Sequence, residues 1–230
     1  MNLKLLAGIL IAFTGCGKSN PIIALNGAEP STPAIPDTSA ITSTSTCVSD
    51  DPEHQCIGLK LVSYQDANGV PTLNEFDADH LVDGINDAWK PCNIAFQLEK
   101  YESVNPTSLG LTYSPNWKTD STSIRAQFSD PTRFVVVAVG PWTNATIAVT
   151  QMPGNGPFGT LVSLKYAKNP LTVGHELGHY QGLYHLRNSK NLMNPYIGPN
   201  TLALSPKQCS IARNTNTKNW TQSLRRPASL

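Results

Sequence analysis

Five residues within one eleven-residue window, His175, Glu176, His179, Gly182 and His185, restrict what this chain can fold into more than any other feature of it. His175 and His179 are one helical turn apart, so a helix brings both imidazoles to one face. At about 100° per residue the same helix turns Val173, Leu177 and Tyr180 the other way, towards a core. Asn169-Pro170 starts that helix, with Asn as the cap and Pro at the first helical position, where its missing N–H costs nothing. Gly182 can take the left-handed conformation that ends a helix, and the sharp turn lets His185 come back to meet the other two histidines. Glu176 then stands beside the three imidazoles rather than among them, within reach of a water held there.

Three neutral imidazoles suit one zinc ion at about 2.0 to 2.1 Å and leave its fourth position open, which separates a catalytic site from a closed structural one. The window fits the extended pattern H-E-x-x-H-x-x-G-x-x-H, in which the two helical histidines bind zinc and the glutamate is the general base. These three histidines are most of the 5 in the chain. Read as ordinary core residues, they would leave buried imidazole nitrogens unpaired, which is costly. Shortly afterwards comes Asn191-Leu192-Met193-Asn194-Pro195.

Together the two motifs resemble the metzincin zinc peptidases, with Met193 at the place of the methionine turn that underlies the metal in that group. The resemblance runs from about Gln55 to Asn214, and Leu204 to Cys209 is similar to the start of the group's C-terminal helix. It implies an α/β catalytic domain: a twisted five-stranded mixed sheet with helices, a zinc cleft and a small C-terminal subdomain. It also implies His175, His179 and His185 as zinc ligands, Glu176 as the catalytic base, and Gly182 and Met193 as structural residues of the site. Gly182-Leu183-Tyr184-His185 resembles the pappalysins and Leu192-Met193-Asn194-Pro195 the matrixins, so the subfamily stays open. Tyr196 lies three places after Met193, where astacins and serralysins carry a metal-binding tyrosine two places on, and no ligand role is carried over to it. No calcium-binding repeat is visible.

The hydrophobic pattern supports the same class. Ile57 to Ser63 reads as a strand, Thr72 to Trp89 as a helix with Phe76, Leu81, Ile85, Ala88 and Trp89 inward, and Pro91 as its stop. Ile94 to Tyr101, Arg133 to Val139, Thr146 to Gln151 and Thr160 to Tyr166 complete five strands. The β-branched run from Arg133 suits a sheet covered on both faces, and alternating strands and helices argue for α/β.

Ahead of this domain lie two other segments. Lys4 and the apolar run Leu5 to Phe13 read as an export signal over residues 1–15, and Phe13-Thr14-Gly15-Cys16 resembles a bacterial lipobox, which implies a lipid on Cys16. Residues 16–46 are rich in Ser, Thr and Pro and read as a spacer unable to bury enough surface to fold, followed by the catalytic domain over 47–230. The expected location is the bacterial cell envelope, lipid-anchored at the outer membrane or cell surface, or otherwise secretion. Outside the cytoplasm the remaining Cys47, Cys56, Cys92 and Cys209 can pair in three ways. The favoured pairing is Cys47 with Cys56 and Cys92 with Cys209, against a four-cysteine zinc site that lacks the usual short gaps. With 17 Lys plus Arg against 16 Asp plus Glu, the net charge of +1 offers no footprint for nucleic acid.

The expectation is therefore a monomeric zinc-dependent endopeptidase acting on protein or peptide substrates outside the cytoplasm. The strand at Thr146 to Gln151 would, by resemblance, pair with an extended substrate. A non-catalytic surface binding protein on the same fold and a zinc amidase acting on cell wall are the alternatives. Cys47, Asp50 and Asp51 are candidates for holding the site latent, against a disulfide and a solvated loop.

Overall fold

The computed structural model describes residues 19–24, as backbone, and 47–226 except positions 143, 155, 199, 200 and 202. The export signal and Cys16 lie outside the described residues, as does most of the spacer.

Five strands form the sheet that carries the site: β2 (Gln55–Tyr64), β3 (Ile94–Val104), β4 (Phe134–Val139), β5 (Thr146–Gln151) and β6 (Thr160–Ser163). Their spatial order is β3-β2-β4-β6-β5, parallel throughout except for β5, which runs antiparallel to β6. Each strand falls where the sequence pattern puts it. The last is shorter, because Leu164–Tyr166 turns into a 3₁₀ helix.

Both faces of the sheet are covered, as the run at β4 requires. Phe134, Val136 and Ala138 face a core shared with α1 (Glu75–Trp89) and α3 (Pro170–Tyr180). Val135, Val137 and Val139 face the opposite core, closed by Ile124 and Phe128 of α2 (Trp117–Phe128). The expected stripe on α1 needs one correction. Asn74 caps the helix, and Phe76, in its first turn, is 49% exposed while Leu81, Ile85, Ala88 and Trp89 are buried. Phe76 instead packs edge-on against His80 of its own helix.

α1 and α3 cross closely. A Cβ on Gly84 would stand only 2.7 Å from Cβ of Pro170, so glycine is what lets the start of α3 approach. Trp89 Nε1 donates to the carbonyl of Gly174 at 3.1 Å, fixing α3 against α1. At the C-terminal end, α4 (Pro206–Asn219) opens with a reciprocal capping box between Ser205 and Gln208. The two disulfides are Cys47–Cys56 and Cys92–Cys209, the favoured pairing, and the second ties α4 to the turn after α1. Cys47 is thus committed to a disulfide, and Asp51 accepts from Asn93 Nδ2 at 2.8 Å.

Three short strands were not foreseen. β1 (Ser19–Ala24) lies within the stretch read as a spacer, antiparallel to β5 on one side and parallel to β7 (Tyr196–Ile197) on the other. The spacer reading weighed apolar burial, whereas an edge strand is held by main-chain hydrogen bonds to an open edge, and Ile22-Ile23 is a β-favouring pair. β8 (Leu224–Arg225) adds antiparallel to β2 at Cys56 and Ile57.

Candidate active site

The helix α3 carries the first half of the site. Asn169 Oδ1 accepts from Leu171 and Thr172 N–H, so the helix begins where the Asn-Pro pair dictates. Val173, Leu177 and Tyr180 are buried in the core, and the side chain of Tyr180 stacks on Phe134 with ring centroids 4.3 Å apart. His175 and His179 occupy the other face. Gly182 has φ +79°, the left-handed value the turn needs, and Leu183 N–H bonds back to the Gly178 carbonyl at 2.9 Å.

That turn delivers His185. The three Nε2 atoms form a near-equilateral triangle: His175 to His179 3.1 Å, His179 to His185 3.2 Å, His185 to His175 3.2 Å. Among the described residues these three are the group able to share one metal ion. The other ring nitrogens fix the tautomers. His175 Nδ1 lies 2.6 Å from the Leu192 carbonyl and His179 Nδ1 2.7 Å from the Leu183 carbonyl. A carbonyl only accepts, so each Nδ1 carries the proton and each Nε2 presents a lone pair.

The Nε2 lone pairs of His175 and His179 face each other and His185 Nε2, and the environment keeps the three imidazoles uncharged. Burial, with the neighbouring imidazoles, drives His175 well below its usual value and His179 to about 3, and burial alone lowers His185 to about 4. Such a triangle suits a shared cation. Tetrahedral zinc at about 2.05 Å from each ligand would separate them by about 3.3 Å, so the donor set and spacing fit zinc.

Met193 lies beneath the ligands. It is fully buried, and a Cβ on Gly178 would collide with its Sδ, so the methionine packs against the helix at the residue just before His179. Asn191 shapes this turn by accepting from Met193 N–H at 3.0 Å, and exchanges two hydrogen bonds, 2.8 and 3.0 Å, with Gln208 of α4. Tyr196 is half exposed, and no ligand role is assigned to it.

Glu176 is buried. Its Oε2 accepts a hydrogen bond from Thr150 of β5, while Oε1 has no protein partner. Burial pushes its carboxyl up to about 8, against the Thr150 hydroxyl and the Arg125 guanidinium, which pull it down. A divalent cation nearby would also oppose the rise. Thr150, Thr160 and Arg125 are site residues the sequence reading missed. A threonine in a β-branched strand carries no signal of its role, and the helix bearing Arg125 was not anticipated.

Known structures bear on this arrangement. No family model and no curated protein matches the chain in sequence. Its fold is similar to mature mirolysin of Tannerella forsythia in complex with a cleaved peptide, with TM-score 0.58, 9% identity, and 75% of this chain and 98% of that chain covered. A promirolysin mutant gives TM-score 0.58 and 9% identity over 74% and 83% of the two chains. Metalloproteinase-II of Bacteroides fragilis gives TM-score 0.53 and 15% identity over 71% of this chain and 53% of that one. The chain therefore spans about half the length of the Bacteroides protein. With the histidine triangle, these likenesses decide the architecture. The fold is metzincin-like. The sheet, the helix α3 and the turn at Met193 follow the expected order, and the subfamily is unresolved.

Proposed function

We propose that the chain is a zinc-dependent endopeptidase that cuts peptide bonds of proteins outside the cytoplasm. The observation that carries this reading is the Nε2 triangle of His175, His179 and His185, 3.1 to 3.2 Å on a side, with Glu176 on the same helix offering a bare Oε1. Zinc, held by such a set, acts as a Lewis acid that acidifies water and polarises a carbonyl. Glu176 Oε1 takes the proton of the attacking water and passes it to the leaving amine, so hydrolysis needs no covalent intermediate. The metzincin-like neighbour mirolysin holds a cleaved peptide, and an extended substrate is suited to the groove that opens between β5 and β7 when β1, which fills it, is displaced. Lipidation at Cys16, a place at the cell envelope or surface, and a monomeric state complete the proposal.

The test uses the purified full chain loaded with zinc. It should cleave casein and members of a peptide library, and lose that activity on chelation and in Glu176→Gln. Metal-replete, disulfide-bonded protein that cuts no peptide would sink the reading. Fragments released from peptidoglycan by such a protein would instead mark a cell-wall amidase, and silence on both substrates a binding protein. Intact mass of the protein from a bacterial membrane fraction reports the lipid on Cys16.

A further inference from the structure

Behind Glu176 the sheet departs from its apolar pattern. β5 and β6 bury Ile147, Ala148, Val149, Leu161 and Val162, yet the directly paired residues Thr150 and Thr160 are also completely buried, and Arg125 is 2% exposed. Hydroxyls and a guanidinium are costly in such a place unless every bond is made. Thr150 follows Ala148 on the sheet face that packs against α3, and its Oγ1 reaches Glu176 Oε2. Thr160 Oγ1 lies 2.7 Å from Thr150 Oγ1. Thr150 Oγ1 donates its only proton to Glu176 Oε2, so the bond between the two hydroxyls is donated by Thr160.

Arg125 braces the far ends of this chain. From α2, on the opposite face, its Nε donates to the Gly159 carbonyl at 2.9 Å and its Nη2 to the Val149 carbonyl at 3.4 Å. These are the residues just before Thr160 and Thr150. The guanidinium thus clamps the two strands at the point where the hydroxyls cross.

We infer that Thr150 is a positioning residue for Glu176, aligned by Thr160 and by the Arg125 clamp, which anchors Oε2 so that Oε1 alone is presented for proton transfer. The inference rests on the reading of Glu176 as general base. A glutamate side chain has three rotatable bonds, and one oxygen held from behind removes most of that freedom before substrate arrives. Misplacing a catalytic group by about 1 Å can cost about a hundredfold in rate.

The test compares the zinc-loaded full chain with Thr150→Val and Thr150→Ser. Thr150→Val should lower kcat by about ten- to a hundredfold with KM within about twofold, and Thr150→Ser should restore kcat to within about threefold. Both should keep one zinc per chain. Independently of activity, unfolding midpoints of the chelated wild type, Thr150→Val, Glu176→Ala and the double variant should be non-additive, because each substitution removes the same bond. Additive midpoints overturn the inference whatever the activity. So does a wild-type kcat in Thr150→Val, or a serine variant no better than the valine. If the wild type cuts no substrate while the midpoints are coupled, the peptidase reading fails, the bond stands and the catalytic role assigned to it is withdrawn.

Discussion

The Nδ1 proton of His175 goes to the Leu192 carbonyl, 2.6 Å away, so the turn that carries Met193 also decides which nitrogen of the first histidine is bare. Helix and turn are therefore one unit, and glycine at 178 is what lets them close. In Gly178→Ala the new methyl group would run into Met193 Sδ, and Met193 is fully buried with no room to swing away. The substitution should destabilise the chain by about 1–3 kcal/mol through overpacking and weaken zinc binding by displacing the Leu192 carbonyl. Gly174→Ala is the control: its methyl group would meet nothing nearer than 3.6 Å, and the gain in helix propensity of up to about 1 kcal/mol should leave it neutral or more stable. Thermal unfolding and zinc titration of the two variants separate these outcomes.

A pH dependence follows from Glu99 on β3. Burial works to raise its pKa, but the hydrogen bond from Arg225 and the charges of Arg225 and Arg133 outweigh it and hold the carboxyl below its usual 4.5. Arg225 Nη2 lies 2.7 Å and Arg133 Nε 2.8 Å from Glu99 Oε2. Since the folded value is the depressed one, this stabilisation is fully present above pH 4.5 and is lost as pH falls through the folded value. Glu99→Gln should therefore be less stable than wild type at neutral pH, with the gap narrowing in acid. Unfolding midpoints taken from about pH 7 to 3 check this, and a gap that widens in acid would contradict it.

The sequence made the site more legible than its surroundings, for a physical reason. His175, Glu176, His179, Gly182 and His185 sit in one window whose geometry is set by helix pitch and one left-handed turn, so local rules suffice. The strands at β4 and β5 were legible because a β-branched run between turn residues has one reading. Thr150, Thr160 and Arg125 acquire meaning only when β5, β6 and α2 meet, and nothing local to any of them encodes that meeting. β8 is a two-residue strand held by Glu99, more than a hundred positions away in sequence. β1 was masked by composition, because Ser- and Pro-rich stretches read as spacer whatever edge they later meet.

The Cys92–Cys209 bridge closes a loop with a sequence separation of 117, against 9 for Cys47–Cys56. By chain entropy the long bridge constrains the unfolded state more, so replacing both its cysteines with serine should cost about 2–5 kcal/mol, and more than the same change at the short one. It also anchors α4, whose Gln208 braces Asn191 in the methionine turn. The long-bridge variant should therefore also bind zinc more weakly, and the short-bridge variant should not. Urea unfolding of the chelated chains, with zinc titration alongside, measures both effects.

On the proposed function, a peptide pairing with β5 would take the place that β1 holds. Its register sets Asn20 opposite Thr150 and Pro21 opposite Val149, and Ile23 and Ala24 pair onward to Tyr196 and Ile197, so both walls of the groove are taken by the chain itself. A substrate that pairs with β5 must displace this strand first, and any free energy holding β1 subtracts from the free energy of substrate binding. Successive N–H groups of a strand point to opposite sides, so Ile22→Pro and Ile23→Pro each delete a donor on a different wall. Each lost bond is worth about 1 kcal/mol, so each variant should raise kcat/KM on peptides by about fivefold. Hydrogen exchange gives a readout free of catalysis: amides of Thr146–Gln151 should exchange faster in both variants than in wild type. Unchanged exchange together with unchanged kcat/KM would mean that β1 does not compete for the groove.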